Sequence, residues 1–204
     1  MENYPIMLNI KDKVVVVVGG GQIAYRKMIG LLQAGASVTV ISPVIHLKIE
    51  ELFTDNRIAW KNKVFEPDDL ASALIVIAAT NSEKVNEFVA LSAGHHQLVN
   101  VVDNPELSTF HVPATLKRGG LTISIATGGA SPTLAKVIRD ELAEIYDESY
   151  EDYVEFLALS REKVKQSILD QQTKMQLLKE IISDAYRKSN EKQKVFLEMI
   201  DGFV

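Results

Sequence analysis

Hydrophobic residues occur in short runs, separated by segments with helical spacing, over the first hundred residues. Val14 to Val18 is a continuous β-branched run, typical of a parallel strand buried on both faces. Similar runs predict further strands at 37–41, 58–64, 74–79 and 98–102. The segments between them predict helices at 23–34, at 46–53, and from Asn81 or Ser82 to about Gly94. Strands that alternate with helices at short connections indicate a doubly wound, Rossmann-type α/β fold with a parallel sheet.

The pattern changes after Asp103. Runs at 109–116 and 121–126, joined by two basic residues and two glycines, predict an antiparallel hairpin outside the parallel sheet. Ser131 followed by Pro132 predicts the start of a helix. Beyond residue 150 we predict a helical unit from two apolar stripes, which are Tyr153, Phe156, Leu157, Val164 and Ile168, and then Leu178, Ile181 and Ile182. The predicted division is a nucleotide-binding domain at 1–112, a connecting segment at 113–147 and a helical domain at 148–204.

The turn after the first strand predicts a nucleotide site. Gly19, Gly21 and Ala24 form G-x-G-x-x-A between a predicted strand and a predicted helix. In that setting the first glycine permits the tight turn, the second lets the backbone approach a pyrophosphate, and the helix N-terminus faces the phosphates. The alternative is a glycine turn without a ligand. Ser42 stands where an acidic residue usually binds the ribose hydroxyls, so the spacing alone does not choose between NAD and NADP.

A second group of candidate residues follows the later strands. Thr80 ends the fourth strand, while Asn100, Val101 and Asp103 lie at the end of the fifth, where Asn100 and Val101 are candidate cofactor contacts. Since open α/β sheets bind ligands at the carboxyl ends of their strands, Asp103 is the candidate proton acceptor or metal ligand. A turn or capping aspartate before Asn104 and Pro105 explains it equally well. His111 is a further candidate site residue, for binding the substrate, although a solvent-facing histidine is the simpler interpretation.

Composition narrows the classes of function. A net charge of −5 gives no support for a nucleic-acid partner, and the absence of cysteine excludes disulfides and thiolate metal sites. No apolar run approaches the roughly 20 residues of a membrane-spanning helix, and no apolar signal segment opens the chain. No preformed metal site is expected, because zinc-type histidine spacings are missing. We therefore expect a cytoplasmic protein that does not span a membrane.

Five segments together resemble a known enzyme family. They are PIMLNIKDKVVVVVGGGQIAYRK, GASVTVISP, IVIAATNSEKVN, VNVVDNPELSTFHVPA and ATGGASPTLAKVIRDEL. Their order is similar to that of the precorrin-2 dehydrogenases, including the bifunctional forms that are also sirohydrochlorin ferrochelatases. The likeness is close from about Tyr4 to Leu142 and looser through the helical tail.

The resemblance implies that NAD⁺ accepts a hydride from precorrin-2 and that sirohydrochlorin is formed, on the way to sirohaem or cobalamin. It gives Asp103 a role in dehydrogenation and, in bifunctional members, in Fe²⁺ chelation. The implied cofactor contacts are Gln22, Ile23, Pro43, Val44 and Thr80. The family's S/T-G-G segment matches Thr127, Gly128 and Gly129. Candidate counter-charges for the carboxylates of the substrate are Lys117, Arg118, Lys136 and Arg139, although a solvated face explains each of them at least as well. The resemblance also implies a homodimer in which 113–147 is the dimerisation segment.

Two other functions stay open at this point. One is a chelatase that keeps the nucleotide-binding fold only as a scaffold, with Asp103 handling the metal. The other is an NAD(H)-sensing module without catalysis, which a nucleotide-binding domain alone permits. The VNVVDNP segment argues against the sensor, because sensing does not require a carboxylate beside the nicotinamide.

Overall fold

A computed structural model describes residues 3–203, which divide into one compact unit from Tyr4 to Val112 and another from Pro113 onward. The first unit contains a five-stranded parallel sheet in the order β3-β2-β1-β4-β5. Its strands are β1 (Val14–Val18), β2 (Ser37–Ile41), β3 (Ala59–Lys61), β4 (Ile75–Ala78) and β5 (Leu98–Val101). The predicted parallel sheet is confirmed, and β3 is shorter than the predicted 58–64.

Helices cover both faces of this sheet. They are α1 (Gln22–Gln33), α2 (Leu47–Thr54) and α3 (Glu83–Ser92), with short 3₁₀ turns at Pro67–Leu70 and Pro105–Leu107. The valines of β1 point alternately into the helical layers on the two faces of the sheet, because successive side chains of a strand point to opposite faces. Val15 and Val17 pack in the layer of α1 and α2, whereas Val16 and Val18 pack in the layer of α3. The all-valine run therefore results from burial on both sides of the sheet.

The segment after β5 differs from the prediction. The predicted hairpin strand at 109–116 is wrong in its first half, because Ser108 and Thr109 lie along the free edge of β5 instead. The Thr109 backbone N–H donates to the Val99 carbonyl at 2.8 Å, and the Val101 N–H donates to Ser108 Oγ at 2.9 Å. These bonds satisfy edge groups that would otherwise face solvent unpaired.

The second unit begins with the hairpin of β6 (Ala114–Arg118) and β7 (Leu121–Ile125), which is an antiparallel sheet of its own. Lys117 and Arg118 thus belong to the strand, and the turn is made by the two glycines that follow. Helix α4 (Pro132–Ile145) starts as predicted, since Ser131 Oγ accepts from the Leu134 N–H at 3.1 Å. The predicted hairpin is therefore present, but it begins at Ala114 and ends at Ile125.

The rest of this unit is helical: α5 (Ser149–Gln166), α6 (Gln171–Glu180), α7 (Asp184–Arg187) and α8 (Asn190–Asp201). Its core is aromatic, with Tyr153, Phe156 and Phe196 almost fully buried. The ends of the two predicted stripes are wrong, because Ile168 is 87% exposed and Ile182 is 69% exposed. Both residues lie where a helix has already ended, so helical periodicity no longer applies to them. None of the helices within residues 3–203 is long and apolar enough to cross a membrane.

Candidate cofactor and active site

The carboxyl ends of the central strands open onto a cleft of about 710 Å³ in the first unit. This volume lies in the usual range of about 300–1,000 Å³ for small-ligand sites. The cleft is bounded by the glycine turn, the β2–α2 loop, the segment after β3 and the β4–α3 loop. Its main lining residues are Gly19, Gly20, Gly21, Ser42, Pro43, Val44, Ile45, His46, Lys63, Val64, Phe65, Thr80, Asn81 and Ser82.

The three glycines of the turn have different surroundings. Gly19 has a φ of +118°, and a Cβ there would lie 2.3 Å from the Ala79 carbonyl oxygen. A Cβ on Gly20 would lie 2.1 Å from the Val44 carbonyl oxygen. A Cβ on Gly21 would meet no protein atom within 4 Å, and Gly21 lines the cleft. Protein packing thus accounts for the first two glycines, whereas the third leaves open space beside the backbone.

The N-terminus of α1 is suited to phosphate. Gly21 is its N-cap, no side chain caps it, and no acidic residue lies in its first turn. By contrast, α2 and α3 are capped by His46 and Ser82. The uncapped N–H groups and the positive end of the helix dipole favour an anion such as a pyrophosphate. These residues therefore fit a dinucleotide, with Gln22 and Ile23 exposed on the first turn.

The end of β2 carries no carboxylate. The Ser42 hydroxyl donates to the Val44 carbonyl at 2.7 Å, and Trp60 Nε1 donates to the Ser42 carbonyl at 2.9 Å. Ser42 therefore shapes the loop that carries Pro43 and Val44. Lys63 is the cationic side chain of the cleft, and its hydrogen bond to Glu66, together with Asp69, raises its pKa.

Asp69 anchors the segment after β3, which carries Lys63. Its carboxylate accepts hydrogen bonds from Lys61 Nζ at 2.9 Å and from the Glu66 N–H at 3.0 Å. Burial acts to raise the pKa of Asp69, but the hydrogen bonds from Lys61, Glu66 and Lys63 together outweigh burial and hold the pKa below its usual value. Asp69 is therefore an ionised structural group that fixes the segment after β3.

A hydrogen-bond network joins the cleft to Asp103. Asn86, in the first half of α3, is fully buried. Its Oδ1 accepts from the Thr80 backbone N–H at 3.0 Å and from Thr80 Oγ1 at 2.8 Å. Its Nδ2 donates to the Thr80 carbonyl at 3.2 Å and to Asp103 Oδ2 at 2.9 Å. Thr80 lines the cleft, so one amide links a cleft residue to the candidate proton acceptor.

The loop that carries Asp103 is itself well held. The Ser108 hydroxyl bonds to the backbone of β5 and to the Asn104 carbonyl, and Asn104 Oδ1 caps the following 3₁₀ turn. The Asp103 side chain is exposed and forms no ion pair within residues 3–203. An exposed carboxylate in a fixed loop is accessible to a substrate.

The remaining predicted site residues lie elsewhere. Asn100 and Val101 are 6% and 3% exposed within β5, outside the cleft lining. Asn100 Nδ2 donates to the Phe110 carbonyl, and Val101 belongs to the hydrophobic core. His111 is exposed on the segment after β5.

The other four candidates belong to the second unit. Lys117 is exposed, and Arg118 is half-buried, 3.5 Å from Glu148. Thr127 Oγ1 accepts from the Ser131 N–H, and Gly128 has a φ of +59°. No group of three or more His, Cys, Asp or Glu side chains able to hold a metal ion occurs among residues 3–203.

Asn86 and Lys63 are the main site residues that sequence reasoning missed. Asparagine is a poor residue for a helix interior, because its side chain competes for backbone hydrogen bonds. Asn86 nevertheless shares a buried face with Val89, three residues on. A polar amide on the apolar stripe of a helix was the available signal.

The fold and the cleft define a dinucleotide-binding protein of the doubly wound class. An NAD(P)-binding family model matches residues 6–114, a model described as the sirohaem biosynthesis protein central region matches 118–145, and the SirC C-terminal domain model matches 150–196. A precorrin-2 dehydrogenase of Priestia megaterium is 38% identical over 200 residues, which are 98% of this chain and 99% of that protein. The chain belongs to the precorrin-2 dehydrogenase family.

Other relatives agree with this assignment. The precorrin-2 dehydrogenase of Bacillus subtilis is 35% identical over 78% of this chain and 98% of its own length. A solved structure named SirC, precorrin-2 dehydrogenase, superposes with a TM-score of 0.87 at 38% identity, covering 98% of this chain and 100% of that one. The siroheme synthase of Methylobacillus flagellatus is 42% identical over 81% of this chain, which spans only 36% of that longer protein.

Proposed function

We propose that this protein oxidises precorrin-2 to sirohydrochlorin with NAD⁺, with Asp103 as the general base, in the biosynthesis of sirohaem or cobalamin. The observation that carries the proposal is the network from Thr80 through Asn86 to Asp103. In this network a single amide, that of Asn86, connects an exposed carboxylate to Thr80, which lines a cleft that fits a dinucleotide. The names of the full-length relatives support this substrate and reaction.

The oxidation removes a hydride and a proton from precorrin-2. Bound NAD⁺ supplies the hydride acceptor. In the protein, Gly21, Gln22 and Ile23 would bind the phosphates, and Asp103 would accept the proton as the general base. Asn86 Nδ2 already donates to Asp103 Oδ2, so Oδ1 is the oxygen left to accept the proton. We assign Pro43 and Val44 to the adenosine side of the cleft and Thr80 to the nicotinamide side.

The choice of NAD⁺ over NADP⁺ is part of this proposal. The cleft has no carboxylate at Ser42 that would repel a 2′-phosphate. However, Lys63, the lysine that could attract a 2′-phosphate, is already paired with Glu66 and Asp69. A paired lysine gives a 2′-phosphate less attraction than a free one. We therefore expect NAD⁺ to bind more tightly than NADP⁺ by a modest factor.

The second unit completes the proposal. We propose that a cytoplasmic homodimer forms through 113–147, because the β6–β7 hairpin is a sheet of only two strands and needs pairing or cover. Apolar side chains on α4 remain exposed in the single chain, with Leu134 and Val137 near half exposure and Ile145 at 62%. Within this unit, the proposed contacts for the substrate carboxylates are Lys117, Arg118, Thr127 and Gly128. We propose the same role for His111 of the first unit.

The decisive experiment is anaerobic incubation of the protein with enzymatically generated precorrin-2 and NAD⁺, with NADH followed at its absorbance band. We expect NADH in a one-to-one ratio with sirohydrochlorin. Asp103→Ala should slow the rate by about 10²-fold or more, the usual contribution of a general base, while NAD⁺ affinity stays within twofold. Absence of NADH with the wild type would reject the dehydrogenase. An unchanged rate in Asp103→Ala would reject only the role of the carboxylate.

Chelation is tested in parallel. Sirohydrochlorin is incubated with Fe²⁺ or Co²⁺, and metal insertion is followed by the change in the absorption spectrum. Metal insertion abolished by Asp103→Ala would add the ferrochelatase reaction to the proposal. NAD⁺ binding without either reaction would favour a sensor. Sedimentation velocity of the wild type and of Val137→Glu tests the dimer, which the charge should weaken.

A further inference from the structure

Asn86 is a fully buried polar side chain of the first unit, and it hydrogen-bonds both to Thr80 at the cofactor cleft and to Asp103. All four of its hydrogen bonds are 3.2 Å or shorter, and all go to Thr80 or Asp103. No other residue bonds to the Asp103 side chain among the residues that the structure describes. The position of this carboxylate therefore depends on Asn86.

The orientation of the Asn86 amide is fixed. The Thr80 backbone N–H can only donate, so the atom 3.0 Å from it must be the amide oxygen. The amide nitrogen then has to face Asp103. The N–H directed at Oδ2 occupies an acceptor position of that oxygen, whereas Oδ1 accepts no hydrogen bond from the described residues and is the oxygen open to the proton of the substrate.

We propose that Asn86 is a positioning residue for the dehydrogenation, which holds the Asp103 carboxylate at a fixed distance from the cofactor loop and determines which carboxylate oxygen receives the proton of the substrate. The inference rests on the proposed function. Asn86 does not reach the cleft lining, so it acts through Thr80 and Asp103 rather than on the reacting atoms. Proton transfer is sensitive to the distance between donor and acceptor, and a small displacement of Asp103 should therefore slow turnover.

Gln97 provides a matched control. It is a buried amide of the same unit, its Nε2 donates to the Leu70 and Ala73 carbonyls, and its Oε1 accepts from the Gly94 N–H. It contacts neither Thr80 nor Asp103. Asn86→Leu and Gln97→Leu each remove a buried amide and leave backbone groups unpaired, so both should lower stability. Only Asn86→Leu should release Asp103.

The kinetic test compares the two variants with the wild type under NAD⁺ saturation. For Asn86→Leu we expect kcat to fall at least twentyfold while KM for precorrin-2 changes less than threefold. For Gln97→Leu we expect kcat within twofold of the wild type. Equal kcat values in Asn86→Leu and the wild type, or equal losses in the two variants, would overturn the proposal. An inactive wild type would instead reject the proposed function.

A spectroscopic test needs neither turnover nor a stable Asn86 variant. The side-chain amide signals of Asn86 and Gln97 are assigned by triple-resonance NMR in the wild type and in Asp103→Ala. We expect the Asn86 signals to move by several tenths of a ppm in the proton dimension when the carboxylate is removed, and the Gln97 signals to stay in place. Unmoved Asn86 signals would show that the contact does not exist in solution and would overturn the proposal.

Discussion

Gly20 and Gly21 are adjacent in the same turn, and the structure predicts opposite consequences for adding a methyl group to each. A Cβ on Gly20 would lie 2.1 Å from the Val44 carbonyl oxygen and 2.8 Å from Ser42 Oγ. Ordinary van der Waals contact begins near 3.4 Å, so the β2–α2 loop would have to move by more than an ångström. Overpacking of this kind costs about 1–3 kcal/mol. For a chain of this size that corresponds to a Tm lower by about 2–12 °C.

Gly21→Ala should leave the fold almost unchanged. The new methyl group meets no protein atom within 4 Å, and the φ of −86° suits alanine. Alanine is a weaker N-cap than glycine, but it also restricts the unfolded chain, and the two effects nearly cancel at about 0.5–1 kcal/mol each. The methyl group would occupy space where a phosphate must approach the helix. We expect the NAD⁺ dissociation constant to rise at least about tenfold, or about 1.4 kcal/mol.

Differential scanning calorimetry gives the Tm of each variant, and isothermal titration calorimetry gives its affinity for NAD⁺. The expected pattern is a lower Tm for Gly20→Ala and weaker NAD⁺ binding at wild-type Tm for Gly21→Ala. If Gly21→Ala binds NAD⁺ with a dissociation constant within twofold of the wild-type value, this turn is not the pyrophosphate-binding site. A wild-type Tm in Gly20→Ala would refute the packing argument.

Three further predictions concern stability. Tyr153→Phe removes a buried hydroxyl that donates to the Ile181 carbonyl at 2.8 Å and accepts from the Ser183 N–H, so urea unfolding should show a loss of about 1–2 kcal/mol. Ser108→Ala removes the hydroxyl that bonds to β5 beside the Asp103 loop, and amide hydrogen exchange of that loop should become about tenfold faster, corresponding to about 1.4 kcal/mol. The pKa of Asp69 is below its usual value in the folded state, so its stabilisation is complete above the ordinary pKa of about 3.9 and is lost as the pH falls through the lower folded value. Asp69→Asn should therefore be less stable than the wild type by about 1 kcal/mol at pH 7, with the difference disappearing at low pH.

Each of these has a clear contrary result. Equal urea midpoints for Tyr153→Phe and the wild type would mean that water replaces both bonds. Unchanged exchange around Asp103 in Ser108→Ala would mean that the loop is held by other contacts. A stability difference for Asp69→Asn that persists at low pH would show that the effect is not electrostatic.

Much of the first unit was predictable because its signals are local. The runs of β-branched residues, the glycine turn and the capping residue Ser82 are recognised from neighbouring positions in the chain. The parallel sheet and the helix starts therefore followed from the sequence. Thr109 was predicted in a hairpin strand but lies along the edge of β5. Ile168 and Ile182 were predicted on helical stripes but lie beyond the ends of their helices.

For the site, the sequence alone identified the glycine turn as the candidate dinucleotide site, because that motif involves only one strand and the helix that follows it. It also singled out Asp103 as the carboxylate at the mouth of β5. Only the tertiary structure decided what holds Asp103 in place. Asn86 lies 17 residues away along the chain, and it meets the carboxylate because β4, α3 and β5 pack together. The role of Gly20 was also hidden, since its neighbour Val44 belongs to a different loop. Contacts between distant segments are set by packing, which no local pattern records.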